Sequence, residues 1–266
     1  MRRKIVKNKV SIIIPFRNQV KLLKKCVLSV LEKTDGVKYE IILVDNQSTQ
    51  KRIQNFLTEI TQQNYQKVSV LQFDKPFNFS AINNFAVEKA KGEFILFLNN
   101  DTEVITQNWL KSMLELFNNS RIGVVGAKLL YPNNTIQHAG IEFRDGMPIN
   151  AFGKIQDSGE KGAPFNKVHE CLAVTAACMM TRKKLFQKVG GFDEINLPIA
   201  YNDVDYCFTV REAGLKVIYQ PKARLYHHES ASRGKDILKR FFNRKRYKEF
   251  LQELSYLRNK WKKCFK

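Results

Sequence analysis

Four polar clusters in this chain carry residue types that can do chemistry. Asn99-Asn100-Asp101 follows an apolar run, and a carboxylate there can hold a divalent cation at the open edge of a sheet while leaving positions for phosphates. Its plainer role would be to cap the following helix. Asn202-Asp203-Val204-Asp205 opens a helical pattern. Carboxylates at i and i+2 point in different directions, so one faces a cleft while the other caps or pairs. A general base needs a carboxylate held near its proton donor; compensation of the helix dipole is the structural alternative. His227-His228 holds two of the four histidines. Imidazole beside a carboxylate favours Mn2+ over Ca2+, and a pair at the edge of the core is the alternative. Residues 230–234, Ser-Ala-Ser-Arg-Gly, offer hydroxyls, backbone N–H groups and Arg233 to a diphosphate, or form a plain linker.

These clusters need elements to position them, and the first half of the chain supplies a regular series. Apolar, β-branched runs at 10–15, 40–45, 67–73 and 94–98 read as strands. Between and after them, helical spacing appears at Leu23-Val27-Val30-Leu31, Ile53-Phe56-Leu57-Ile60, Ile82-Phe85-Ala86-Ala90 and 109–117. Alternating strands and helices imply an α/β fold with a mostly parallel sheet covered on both faces. Ligands of such sheets bind beyond the carboxyl ends of the strands, where Phe16-Arg17-Asn18, Asp45-Asn46 and Asn99-Asn100-Asp101 fall. The second half is less regular. Short strands are expected at 123–131, 136–143 and 216–219, a long loop over 144–170, an apolar run over 171–181 and a helix over 203–213.

Composition narrows the classes. The chain has 266 residues and a formal net charge of +20, enough for one large α/β domain with its own core. No apolar run reaches the roughly 18–20 residues that span a bilayer, and the stretch at 10–16 is too short for a signal sequence. Five cysteines without a C-x-x-C pair disfavour a zinc ribbon or a disulfide framework and fit reduced thiols in the cytosol. The charge sits at the ends: a net five from residues 1–9 and a net ten from 233–266. A nucleic-acid module is therefore not indicated, and no recognition motif for one is present. No G-x-G-x-x-G follows a strand, which disfavours a dinucleotide-binding dehydrogenase.

The order of several blocks is specific where each alone is not. VSIIIPFRN (10–18), Asp45, FNFSAINNFAVEKA (77–90), GEFILFLNNDTE (92–103), GGFDE (190–194), YNDVDYCFTVREAG (201–214) and YHHESASRG (226–234) together resemble the family 2 glycosyltransferases, and within them the bacterial rhamnosyltransferase-like enzymes of surface polysaccharide assembly. The resemblance implies a GT-A fold and inverting, metal-dependent transfer from a nucleotide sugar, a UDP- or dTDP-sugar, to a glycan or lipid-linked acceptor. It places Pro15, Phe16 and Arg17 at the nucleotide, Asp45 at the base or ribose, and Asn84, Asn99 and Asn100 in the donor pocket. It makes Asp101 and His227 the ligands of Mn2+ or Mg2+, sets Ser232 and Arg233 at the diphosphate, and makes Asp203 the catalytic base. His138, in Gln-His-Ala-Gly, and Asp205 are expected near the acceptor. The family's first motif acid is Asn99 here, position 202 is Asn where Glu is common, and Thr209 replaces a common Arg. A nucleotidyltransferase of related fold would want a Gly-rich basic loop after the first strand, where this chain has Pro15-Phe16-Arg17-Asn18-Gln19. A non-catalytic membrane-associated subunit is the other alternative.

The expected division is a catalytic domain over 1–234 and a tail over 235–266. From Tyr247 the tail spaces Phe250, Leu251, Leu254, Leu257 and Trp261 helically among Lys and Arg. This pattern fits an interfacial membrane helix, which predicts a cytoplasmic protein held on the inner face of the membrane. It also fits a helix packed on the catalytic domain.

Overall fold

A computed structural model describes residues 9–144, 146–160, 162–228 and 244–265. The first half is β1 (Val10–Phe16), α1 (Val20–Lys33), β2 (Tyr39–Asp45), α2 (Lys51–Gln63), β3 (Val68–Gln72), α3 (Phe79–Lys89) and β4 (Phe94–Leu98). The four strands pair in parallel in the order β4-β1-β2-β3. Alternate residues of β1 enter opposite layers, as the strand period requires. Ile12 and Ile14 pack with Leu23 and Val27 of α1, and Ile13 packs with Ile82 and Ala86 of α3. Full burial of each such side chain contributes roughly 1.5–3 kcal/mol, so both faces of the sheet fix the strands whose ends will form a site.

The chain continues through β5 (Thr102–Val104), α4 (Trp109–Leu116), β6 (Ile122–Leu130), β7 (Ile136–His138), β8 (Ile141–Arg144), β9 (Met147–Asn150) and β10 (His169–Glu170). It then forms β11 (Cys178–Arg182), α5 (Lys183–Lys188), α6 (Asn202–Glu212), β12 (Lys216–His227) and α7 (Arg244–Lys260). Strand β11 lies antiparallel between β4 and β6, and β12 runs parallel to β6. The expected run 136–143 breaks at Gly140, whose φ of 101° needs glycine and whose added Cβ would meet Cys171 Cβ at 3.1 Å. The expected strand 216–219 is the start of the longer β12, which carries a register shift between Gln220 and Arg224 and ends at His227.

The segment 144–170 is not the featureless loop expected. It contains β9, which pairs with β8, and is strapped to the sheet by the buried Lys128. That ammonium meets Asp157 Oδ1 at 3.1 Å and also donates to Asn166. Arg224 reaches the other Asp157 oxygen at 3.0 Å. Burial pushes the Lys128 pKa down, while the hydrogen bond and charge of Asp157 oppose that shift.

Helix α7 packs on the domain. Leu254, Leu257 and Trp261 are buried, with Leu257 and Trp261 in the α3–α6 layer. Phe208 of α6 lies 5.4 Å from the Trp261 ring. Of the two readings of the tail, Leu254, Leu257 and Trp261 follow the second, their apolar surface spent on protein, whereas Tyr247 and Leu251 of the same helix are exposed. Among the described residues, no helix is long and apolar enough to cross a membrane.

Candidate active site

The carboxyl ends of β1, β2 and β4 lie side by side, and a cleft opens beyond them. One half, of about 280 Å3, is lined by Pro15, Phe16, Arg17, Asn46, Asn99, Asn100 and Asp101. Of the predicted donor residues here, Asp45 sits behind the wall. It is 1% exposed, and its Oδ1 accepts the Ser48 N–H at 2.9 Å, closing the turn after β2. Its neighbour Asn46 stands in the wall instead. Asn46 Nδ2 donates to Phe73 O and Lys75 O, while its buried Oδ1 has no hydrogen-bond partner among the described residues. A buried acceptor left unpaired costs about 1–3 kcal/mol, so a donor from a ligand would be welcome there.

Asp101 and His227, far apart in sequence, meet because β12 pairs with β5. His227 lies opposite Thr102, and the His228 N–H donates to Asp101 O at 2.8 Å. His227 Nδ1 is 2.7 Å from Gln137 Oε1, an acceptor that holds the proton on Nδ1 and leaves the Nε2 lone pair facing Asp101 Oδ1 at 3.1 Å. Two lone-pair atoms at that distance need a proton or a cation between them. Neighbouring ligands of a small octahedral cation, each about 2.1 Å from it, are about 3 Å apart. The residues present therefore fit a divalent cation. Among the described residues, no third His, Cys, Asp or Glu completes a cluster, as suits an ion that keeps several waters. Asn99 Nδ2 lies 3.4 Å from His227 Nε2.

The other half of the cleft, about 240 Å3, is continuous with the first. Phe79, Asn99, Ile199, Ala200, His227 and Phe250 border both. Asp203 lines it from the first turn of α6. Its Oδ2 accepts the Ala176 N–H at 2.9 Å and its Oδ1 the Val204 N–H at 2.8 Å. The carboxylate is thus fixed in direction, as a proton acceptor must be. Residue 176 is there because β11 starts at the cleft end of the sheet, where Asn99 N–H donates to Ala177 O at 3.1 Å.

Two expectations need correction. Asp205 does not face an acceptor. Two residues along a helix turn through about 200°, which aims its side chain at α7. There Lys260 Nζ lies 2.8 Å from Oδ1 and 2.9 Å from Oδ2, and Trp261 Nε1 donates to Oδ1 at 2.7 Å. Asn84 does not line the cleft. Its amide accepts the Phe192 N–H at 3.0 Å and donates to Phe192 O at 2.9 Å, cinching the turn at Gly190-Gly191. At Gly191, with φ of 72°, an added Cβ would lie 2.8 Å from Asn84 Oδ1.

His138 borders the second half of the cleft but is almost wholly buried. Its Nδ1 is 2.8 Å from Asn150 Oδ1, and its Nε2 accepts the Thr175 N–H at 3.4 Å. Burial pushes its pKa down to about 4, so a neutral ring braces the wall. Ser232 and Arg233 lie outside the described residues. Sequence reasoning passed over Gln137, although it adjoins His138, because nothing in its spacing marks it as the partner of His227. It also passed over Tyr201 and Glu253, and it marked Asn46 only as part of the polar cluster after the second strand.

Residues 11–190 match the model of glycosyl transferase family 2. An uncharacterized protein of Sinorhizobium fredii, y4gI, is 38% identical over 256 residues, covering 95% of this chain and 27% of that protein. The O-antigen biosynthesis protein RfbC of Myxococcus xanthus is 38% identical over 234 residues, covering 86% of this chain and 18% of its own length. The chain thus spans less than a third of either relative. Among solved structures, GalNAc-T7 with UDP, GalNAc and Mn2+ superposes with a TM-score of 0.70 at 18% identity, covering 83% of this chain and 44% of that one. The Pyrobaculum calidifontis mannosyltransferase PcManGT with GDP-Man and Mn2+ gives 0.61 at 13%, covering 83% and 56%. These likenesses bear on the fold, which is GT-A. The family match covers well over half of the sequence, and the chain belongs to glycosyl transferase family 2.

Proposed function

We propose that this glycosyltransferase moves one sugar from a UDP- or dTDP-sugar to a hydroxyl of a surface-polysaccharide or lipid-linked glycan, inverting the anomeric carbon. The observation that carries the reading is one continuous cleft, with the Asp101–His227 pair in one half and the fixed carboxylate of Asp203 in the other. Pro15, Phe16, Arg17, Asn99 and Asn100 enclose the nucleotide. Asn46 Oδ1 takes an N–H of the base, which relieves its missing partner. Asp101 and His227 hold Mn2+ or Mg2+, which when bound neutralises the charge of the departing diphosphate. Asp203 accepts the proton of the acceptor hydroxyl as that oxygen bonds to the anomeric carbon. The bond from that carbon to the diphosphate oxygen breaks, and the electron pair leaves with the nucleoside diphosphate. Ser232 and Arg233 are assigned to the diphosphate on the sequence pattern alone.

Support for the donor class comes from the nucleotides and Mn2+ in the fold's solved neighbours, and for the acceptor class from the O-antigen relative. For a lipid-linked acceptor, the basic ends of the chain suit the anionic cytoplasmic leaflet. That contact is mainly electrostatic, since Leu254, Leu257 and Trp261 of α7 are buried and Tyr247 and Leu251 are the exposed part of its stripe.

Calorimetric titration with UDP, dTDP and GDP, with and without Mn2+, tests the site. Binding of one nucleotide that requires Mn2+ and is lost in Asp101→Ala is expected. Binding indifferent to Asp101, or no binding at all, would overturn the donor-site reading.

A further inference from the structure

Helix α7 lies beyond residues 11–190, the part matched by the family model, yet it reaches the centre of the cleft. Phe250 borders both halves. Its ring is half-buried and lies 5.2 Å from that of Tyr201, tilted by 41°. Tyr201 also lines the acceptor half and stands two residues before Asp203. Its surroundings mix polar side chains, among them Asn99, Asp203 and His227, with apolar ones, Phe79, Ile149 and Ile199.

The ring is held firmly. One turn along α7, the Glu253 carboxylate accepts the N–H groups of Ile199 and Ala200 at 3.2 and 2.6 Å. Leu254, Leu257 and Trp261 anchor the same helix in the core. The helix therefore carries a half-buried aromatic ring into the cleft at the junction of its donor and acceptor halves, close to the polar groups placed there. Binding sites combine apolar and aromatic walls with a few placed polar groups, and a ring that is already ordered loses little freedom when a ligand covers it.

We propose that Phe250, backed by Tyr201, is the platform on which the acceptor's pyranose ring lies. A pyranose presents C–H groups on its faces and hydroxyls around its rim. The aromatic ring takes a face, and the rim directs one hydroxyl to Asp203. Acceptor choice then depends on α7, outside the segment shared with the family model. The inference rests on the reading of Asp203 as the base and of the other half as the donor site.

Saturation-transfer NMR on the full chain with UDP and Mn2+ tests it, using methyl pyranosides of glucose, galactose, mannose and rhamnose as probes. Saturation of aromatic protons should pass to the ring C–H groups of at least one glycoside. Phe250→Ala should weaken that binding about tenfold, as loss of an aromatic contact of about 1.4 kcal/mol would, while UDP affinity and thermal midpoint show that the variant folds. Phe250→Tyr should keep the signal. Should Phe250→Ala lose its fold, Phe250→Leu takes its place: an apolar side chain of similar size without a ring should likewise weaken the transfer, and equal transfer from it would count against the platform. Absence of transfer to every glycoside from the wild-type chain, or equal transfer from a folded Phe250→Ala, would overturn the proposal. Failure of the wild-type chain to bind UDP, dTDP or GDP would instead overturn the donor-site reading.

Discussion

The floor of the donor half comes from neighbouring strand ends: Pro15, Phe16 and Arg17 after β1, Asn46 after β2, and Asn99 to Asp101 after β4. The acceptor half draws on His138 and Asn150 from β7 and β9, Thr175 and Ala176 ahead of β11, Asp203 on α6 and Phe250 on α7. The first is held by a parallel ladder with a helix layer on each face. The second is held by single contacts between distant segments, such as Ala176 N–H to Asp203 and Glu253 to the backbone at 199–200. A ladder tolerates the loss of one side chain, whereas a wall joined by individual hydrogen bonds depends on each. Chemistry and acid sensitivity should therefore concentrate in the acceptor half.

The sharpest way to separate the halves is Asp203→Asn. Loss of the proton acceptor should lower turnover about a thousandfold and leave the Mn2+-dependent nucleotide affinity unchanged in calorimetry. Weakened nucleotide binding would mean that the halves are not separable.

Acid should strike the acceptor half next. The ring of His138 is buried against Asn150 and Thr175, and that burial is the main cause of its lowered pKa. Its folded pKa of about 4 lies below the ordinary imidazole value of 6.5, so between those values the unfolded chain binds a proton that the folded chain refuses. The stability this residue contributes is full above pH 6.5 and is lost as pH falls toward 4, by about 3 kcal/mol across the window. Urea midpoints measured from pH 7 to pH 4.5 should fall for the wild-type chain and flatten for His138→Asn.

A smaller effect should cross the boundary. Gln137 lies in the second half of the chain but orients His227. Gln137→Ala should weaken Mn2+ binding 10–100-fold, the usual cost of losing an outer-shell partner. Titration with Mn2+ in the presence of UDP measures this. The smallest effect concerns the basic ends: association with vesicles containing anionic lipid should fall at high salt, as flotation would show.

The same contrast governs what can be read from the sequence. Strands β1, β2 and β4 are short apolar runs, and their ends match the expected ones to within a residue or two because strands buried on both faces leave that pattern. The order of the polar clusters after them led to Asp101. Asp205 and Asn84 were misplaced because residue type tells nothing of which neighbour a helix turns toward. Asp205 needed Lys260 and Trp261 to be seen, and Asn84 needed the turn at Gly191. The α7 stripe was legible as a stripe, but its partner was not, because core-facing and bilayer-facing helices share one periodicity.

The docking of α7 has a consequence for how the enzyme comes into being on the ribosome. Domains form from the N-terminus as the chain emerges, at about 5–20 residues per second. Strands β1 to β4 can pair while the rest is still being made. Asp205, by contrast, waits for Lys260 and Trp261, and the backbone at 199–200 waits for Glu253. A nascent chain that has paired its first four strands still lacks the wall that carries Phe250, so the half of the cleft proposed for the acceptor is completed only when α7 has cleared the exit tunnel.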